Sequence, residues 1–191
     1  DFITAAATGG VAHPSGYPTY LALARLFQLL PLGTLAFRTN LLSAVCSLAA
    51  AVLVTRWVAR QQRVTGAPFD GEIAQISGAL AGLAFGLSPL LWSQAVITEV
   101  HALHALFLAL LLTLAPLARP HPETSGWVDL AAGLLAGLAL GNHLTAALLL
   151  PAWFGLSLLR RIPDGAPLAR WLPQMAWRPV LRGLAGLALG A

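Results

Sequence analysis

Run after run of Leu, Ala, Gly and Val, with few charges except near the ends, decides what this chain can become. Phe37 to Trp57 is one such run, and Ile73 to Trp92, Val96 to Leu117, Trp127 to Leu140 and Leu144 to Leu159 repeat the pattern. About 20 apolar residues carry a helix across the hydrocarbon of a bilayer. Only helices and closed barrels satisfy their own backbone polar groups there. The 191 residues are 58% hydrophobic and 9% charged, with a mean hydropathy of +0.76, whereas soluble domains carry roughly 25% charged residues. The reading is an all-α, polytopic transmembrane helical bundle.

Residues 1–36 read as an extracytoplasmic loop with an interfacial helix. Tyr17 to Leu32 is apolar but carries Arg25 and Gln28 and meets Pro31, which suits a helix lying in the membrane interface. Residues 37–191 read as about six transmembrane segments at the usual span length, giving one transmembrane domain over 1–191. The chain begins with Asp rather than Met and stops at Gly190-Ala191 in the middle of an apolar run, so a fragment with a truncated last span is expected.

Arginine sets the orientation. All 11 basic residues are arginines. In this threading Arg56, Arg60, Arg63, Arg119, Arg160, Arg161, Arg170, Arg178 and Arg182 fall on one side, and only Arg25 and Arg38 on the other. The richer side is cytoplasmic by the positive-inside rule. This distribution explains the basic balance without a nucleic-acid partner, and an all-Arg, Gly/Ala-rich composition suggests a bacterial inner or plasma membrane. The outer face then receives Asp1, His13, Tyr17, Glu99, His101 and the Asn142-His143 turn. Polar groups distant in sequence converge there, as an active site requires.

His13-Pro14-Ser15-Gly16-Tyr17-Pro18 is stiffened by two prolines and turned by Gly16, so it presents a histidine and a tyrosine on a non-helical segment. Glu99 near the hydrocarbon is either paired or functional, or else a charge at a helix N-terminus favoured by the macrodipole. His101 and His104 do not share a clean face with it, and His104 reads as a packed or interfacial histidine. Asn142-His143 is either ordinary turn chemistry or part of the outer site. Asp70, Glu72, Glu123, Asp129 and Asp164 read as solvated loop charges or caps. Cys46 reads as a packed small hydrophobe. Gly78, Gly82 and Gly86, like Gly133, Gly137 and Gly141, recur every four residues, the spacing of close helix packing. No phosphate-binding loop, nucleophile elbow or paired-cysteine motif is present, so ATPase, serine-hydrolase and redox readings have no support.

Taken together, Asp1-Phe2, His13 to Pro18, Asn40-Leu41-Leu42-Ser43-Ala44, Trp92 with Glu99-Val100-His101-Ala102-Leu103, and Asn142-His143-Leu144 resemble a known family. It is the domain of unknown function 2723, similar to protein O-mannosyltransferases of the GT-C superfamily. The likeness runs from Asp1 to about Leu159. Ser15 stands where the family has a second proline, and His101 where it has a tyrosine. Asp1 matches the second acid of the family's Asp-x-Gly-(Glu/Asp) stretch, whose first acid would precede residue 1.

The resemblance implies an inverting membrane glycosyltransferase that moves a mannose-like sugar from a polyprenyl-phosphate donor to an extracytoplasmic protein or glycan acceptor, among membrane lipids. Asp1 would be the general base, and Glu99 would position the acceptor or share that role. Arg25 would grip the lipid phosphate, its alternative being an arginine snorkelling to the interface. His13, Tyr17, His101, Asn142 and His143 would bind substrate. A divalent metal stays open, since GT-C enzymes differ in metal use and no complete ligand set appears here. The rival readings are a polytopic transporter and a non-catalytic membrane subunit.

Overall fold

A computed structural model describes residues 1–64, 71–114, 125–148, 151, 155 and 177–190. The regular elements among them are all helical: α1 (Phe2–Thr8), α2 (Pro18–Gln28), α3 (Leu35–Val64), α4 (Gly71–Gly86), α5 (Pro89–Ala95), α6 (Val100–Leu114), α7 (Ser125–Asn142), a 3-10 turn (Leu144–Leu148) and α8 (Trp177–Gly190). The chain forms two compact units, Asp1–Leu110 and Leu111–Ala191.

In the first unit, α3 supplies the one described helix that is long and apolar enough to cross a membrane alone, over Leu35–Gln61, with a mean hydropathy of 1.9 in its most apolar 18-residue stretch. The run expected to cross back as one span, Ile73 to Trp92, is instead broken. Helices α4 and α5 meet at a 63° bend. Pro89 has no N–H to continue the ladder, and Ser88 caps the new helix by accepting the Leu91 N–H at 3.4 Å. Gly78 and Gly82 let α4 lie against α3. A Cβ on Gly78 would come within 2.5 Å of the Thr55 carbonyl, and one on Gly82 would collide with the Thr55 hydroxyl. The small-residue spacing is thus a packing face here, and Cys46 is buried within α3 as expected.

The N-terminal segment departs from the expected loop, because Phe2–Thr8 is helical. Gln28 explains how so short a helix is held. Its Nε2 donates to the Ile3 carbonyl and to the Thr39 hydroxyl, both at 3.0 Å, tying α1, α2 and α3 at one buried point. Arg38 then closes the α2–α3 turn by donating to the carbonyls of Gln28, Leu32 and Gly33.

In the second unit, α7 and α8 press backbone to backbone. Gly133 faces the Gly183 carbonyl, Gly186 that of Leu130 and Gly190 that of Leu134. Asp129 corrects an expectation, for it is buried rather than solvated. It lies three and seven residues before Ala132 and Ala136, on the face of α7 that packs inward. Glu72 sits exposed in the first turn of α4, whereas Asp70, Glu123 and Asp164 lie outside the described residues, as does most of the arm expected after Leu148.

Candidate functional site

Helix α1 ends at Gly9, whose φ of +68° is a left-handed cap that a side chain would strain. The chain then doubles back and returns His13 to Asp1. The imidazole Nδ1 lies 2.9 Å from Asp1 Oδ2, and the His13 backbone N–H donates to the same oxygen at 3.4 Å. A turn closed by the Gly16 N–H on the His13 carbonyl at 2.9 Å fixes the next residues. Tyr17, at φ +50° directly before Pro18, holds a left-handed conformation that non-glycine residues seldom adopt.

An aromatic cluster holds this geometry. Phe2 is buried, and its ring centroid lies 5.3 Å from His13, 5.2 Å from Tyr17 and 5.1 Å from Tyr20. His13 and Tyr17 meet at 5.1 Å. Aromatic pairs of this kind contribute about 0.5–1.5 kcal/mol each beyond area burial. Those contacts order the loop. The Asp1–His13 contact itself does little for stability, since its side chains are 58% and 53% exposed and exposed ion pairs contribute about 0–1 kcal/mol. Its geometry is therefore a chemical feature first.

Arg25 lines a cavity of about 380 Å³ with Gly9, Gly10, Val11, Gly16 and Pro18 among its walls, so the loop that carries His13 also borders it. The guanidinium lies against Gly9, since a Cβ there would come 2.7 Å from Arg25 Nη1. A planar cation at the edge of a cavity walled by glycine and alanine is suited to a phosphate or another small anion.

Glu99 does not line that cavity. Its charge is felt instead at Tyr20, which is fully buried with its hydroxyl unbonded beside the Ser43 hydroxyl. Burial pushes the Tyr20 phenol well above the usual tyrosine range, with Ser43 opposing and the nearby Glu99 charge adding to the rise. The loop before Glu99 is pinned to α3: Asn40 Nδ2 donates to the Val96 carbonyl at 3.3 Å, and the Thr98 hydroxyl donates to Asn40 Oδ1. Tyr20 does not stand out in the sequence, and Gln28 and Asn40 are read there without the contacts they make. The signal available for the α3 contact was spacing, since Asn40 and Ser43 stand three apart on one helical face.

His101 is exposed in the first turn of α6. Asn142 and His143 belong to the second unit. Asn142 is fully buried at the end of α7. The His143 ring is occupied locally, its Nδ1 lying 2.7 Å from the Thr145 hydroxyl and accepting the Thr145 N–H at 3.2 Å. Among the described residues no three His, Cys, Asp or Glu side chains are grouped to hold a metal ion.

Comparison with known proteins bears on this same N-terminal region. Protein O-mannosyl-transferase TMEM260 of Mus musculus is 38% identical over 115 residues, 60% of this chain and 15% of the mouse protein. The Dictyostelium discoideum protein O-mannosyl-transferase tmem260 is 27% identical over 121 residues, 60% of this chain and 13% of its own length. The chain thus spans a small part of these relatives, both of them eukaryotic. No solved structure matches it. The sequence profile described as the protein O-mannosyl-transferase TMEM260 N-terminal domain matches residues 1–164, and the chain belongs to that family.

Proposed function

We propose that this chain carries the outer-face site of a multi-pass, GT-C-type inverting glycosyltransferase, which transfers a mannose-like sugar from a polyprenyl-phosphate donor to a hydroxyl of an extracytoplasmic acceptor. The observation that carries the reading is the Asp1–His13 contact on an ordered loop beside the cavity edged by Arg25. In this reading the Asp1–His13 pair supplies base catalysis toward the acceptor hydroxyl. Arg25 holds the donor phosphate, whose charge grows as the sugar leaves. Tyr17 and the loop around it shape the sugar site, and Glu99, whose charge reaches Tyr20, positions the acceptor or shares the base's role. His101, Asn142 and His143 remain proposed contacts of the wider outer face. A further recess of about 350 Å³, lined by groups such as Ala44, Leu48, Leu83, Leu87 and Val96, matches the apolar chain of such a donor.

Membership of a protein O-mannosyl-transferase family supports the sugar and the protein acceptor. The test is donor turnover by the purified protein in lipid. Asp1→Asn is close to isosteric at an exposed position and is expected to lower turnover about 10²–10⁴-fold, the worth of positioned acid–base catalysis, with expression and membrane insertion unchanged. Full activity in Asp1→Asn would dismiss the pair.

A further inference from the structure

Two hydrogen-bonding contacts fall on one oxygen of Asp1, and their chemistry divides the work within the pair. An ionised carboxylate only accepts, so the 2.9 Å contact to His13 requires the proton on Nδ1. The lone pair of the neutral ring then sits on Nε2. That nitrogen makes no hydrogen bond among the described residues, and the side chain is 53% exposed. The ring is held in place by Phe2 at 5.3 Å and Tyr17 at 5.1 Å, while the His13 backbone N–H returns to the same Asp1 oxygen. Val11 and Gly16, on either side of His13 in the loop, line the Arg25 cavity. An oriented imidazole with a free lone pair is therefore carried by the same loop that walls the space assigned to the donor.

We infer that His13 Nε2 is the atom that takes the acceptor's proton, with Asp1 as the positioning residue that fixes the ring and stabilises its charged form. The inference rests on the transfer reading above. In the step, the acceptor oxygen forms a bond to the anomeric carbon of the sugar, and the bond from that carbon to the phosphate oxygen breaks with its electron pair going to the polyprenyl phosphate. The hydroxyl proton passes to Nε2, giving an imidazolium against the Asp1 carboxylate, as in other carboxylate–imidazole pairs. The Asp1 oxygen is already engaged by the ring Nδ1 and the His13 N–H, whereas Nε2 keeps its lone pair for the incoming proton. The other titratable groups on the elements packed around His13 are Tyr17 in the loop and Tyr20 and Arg25 on α2; α1 adds none beyond its cap Asp1.

The experiment measures kcat and KM against pH for the purified protein in lipid, with mannosyl-phosphoryl-polyprenol as donor and a Ser/Thr peptide as acceptor. His13→Asn retains an amide that donates to Asp1 but has no basic nitrogen. The expected result is a wild-type kcat that rises with pH as one basic group loses its proton. His13→Asn should lose that rise and fall about 10²–10⁴-fold in kcat, with donor KM little changed. In His13→Ala, added free imidazole should restore turnover, which decides the matter even where the Asn variant folds poorly. His13→Asn within about threefold of wild type, or an unchanged pH limb in it, overturns the inference while leaving sugar transfer standing. A wild-type protein that consumes no donor at all overturns the transfer reading, and the inference with it.

Discussion

Phe2 shows how one apolar side chain can organise polar chemistry. By packing against His13, Tyr17 and Tyr20 at once, it turns a Pro/Gly loop into a fixed platform. The loop itself was legible, because Pro14, Gly16 and Pro18 leave few backbone choices. The contact from His13 back to Asp1 was not. It depends on a seven-residue helix, too short for a periodic signal, and on the reversal at Gly9. Tyr20 gives a test at this scale. Its hydroxyl is buried without a hydrogen bond, so Tyr20→Phe is expected to leave stability at pH 7 unchanged or raised by about 1–2 kcal/mol. Burial raises the phenol in the folded state. The neutral form is thus favoured by folding, and its contribution is complete below the unfolded value near pH 10 and lost above it. Wild-type unfolding midpoints should therefore fall above about pH 10, and Tyr20→Phe should flatten that fall. A loss of more than about 1 kcal/mol in Tyr20→Phe at pH 7 would mean that the hydroxyl is bonded after all.

Among elements, composition identified helices but not their breaks. The span read from Ile73 to Trp92 is two helices because Pro89 cannot donate and Ser88 caps the second of them. Hydropathy is blind to that bend, since Leu87, Leu90 and Leu91 keep the run apolar on both sides of it. The glycines were better guides. Gly82 stands where any Cβ meets Thr55, so Gly82→Ala is expected to cost about 1–3 kcal/mol by forcing α3 and α4 apart, despite alanine's higher helix propensity. Gly155→Ala is the control, for nothing among the described residues lies within 4 Å of that position. Detergent unfolding midpoints compare the two, and equal midpoints would show that the α3–α4 contact tolerates a wider spacing.

At the scale of the whole molecule, the arginine pattern does what no single helix does. It proposes an orientation for the chain and assigns Asp1, His13, Arg25 and Glu99 to the outer face. The structure of the first unit brings Asp1 and His13 together, sets Arg25 beside a cavity, and leaves Glu99 out of that cavity's lining, near enough to Tyr20 to act on its phenol. Charge counting alone could not have separated those three outcomes, because it records which side a residue is on and nothing of how side chains pack there. The family to which the chain belongs narrows the chemistry to protein O-mannosyl transfer as a proposal. The broken α4–α5 span is the feature that a transporter would share. The most direct measurement separates the two in sealed vesicles containing the purified protein, with labelled mannosyl-phosphoryl-polyprenol in the bilayer and a Ser/Thr peptide supplied on the outer side alone. Label is expected to appear on the peptide with stoichiometric release of polyprenyl phosphate, and both should fall together in Asp1→Asn. Movement of the label across the vesicle wall with the donor bond intact would contradict sugar transfer.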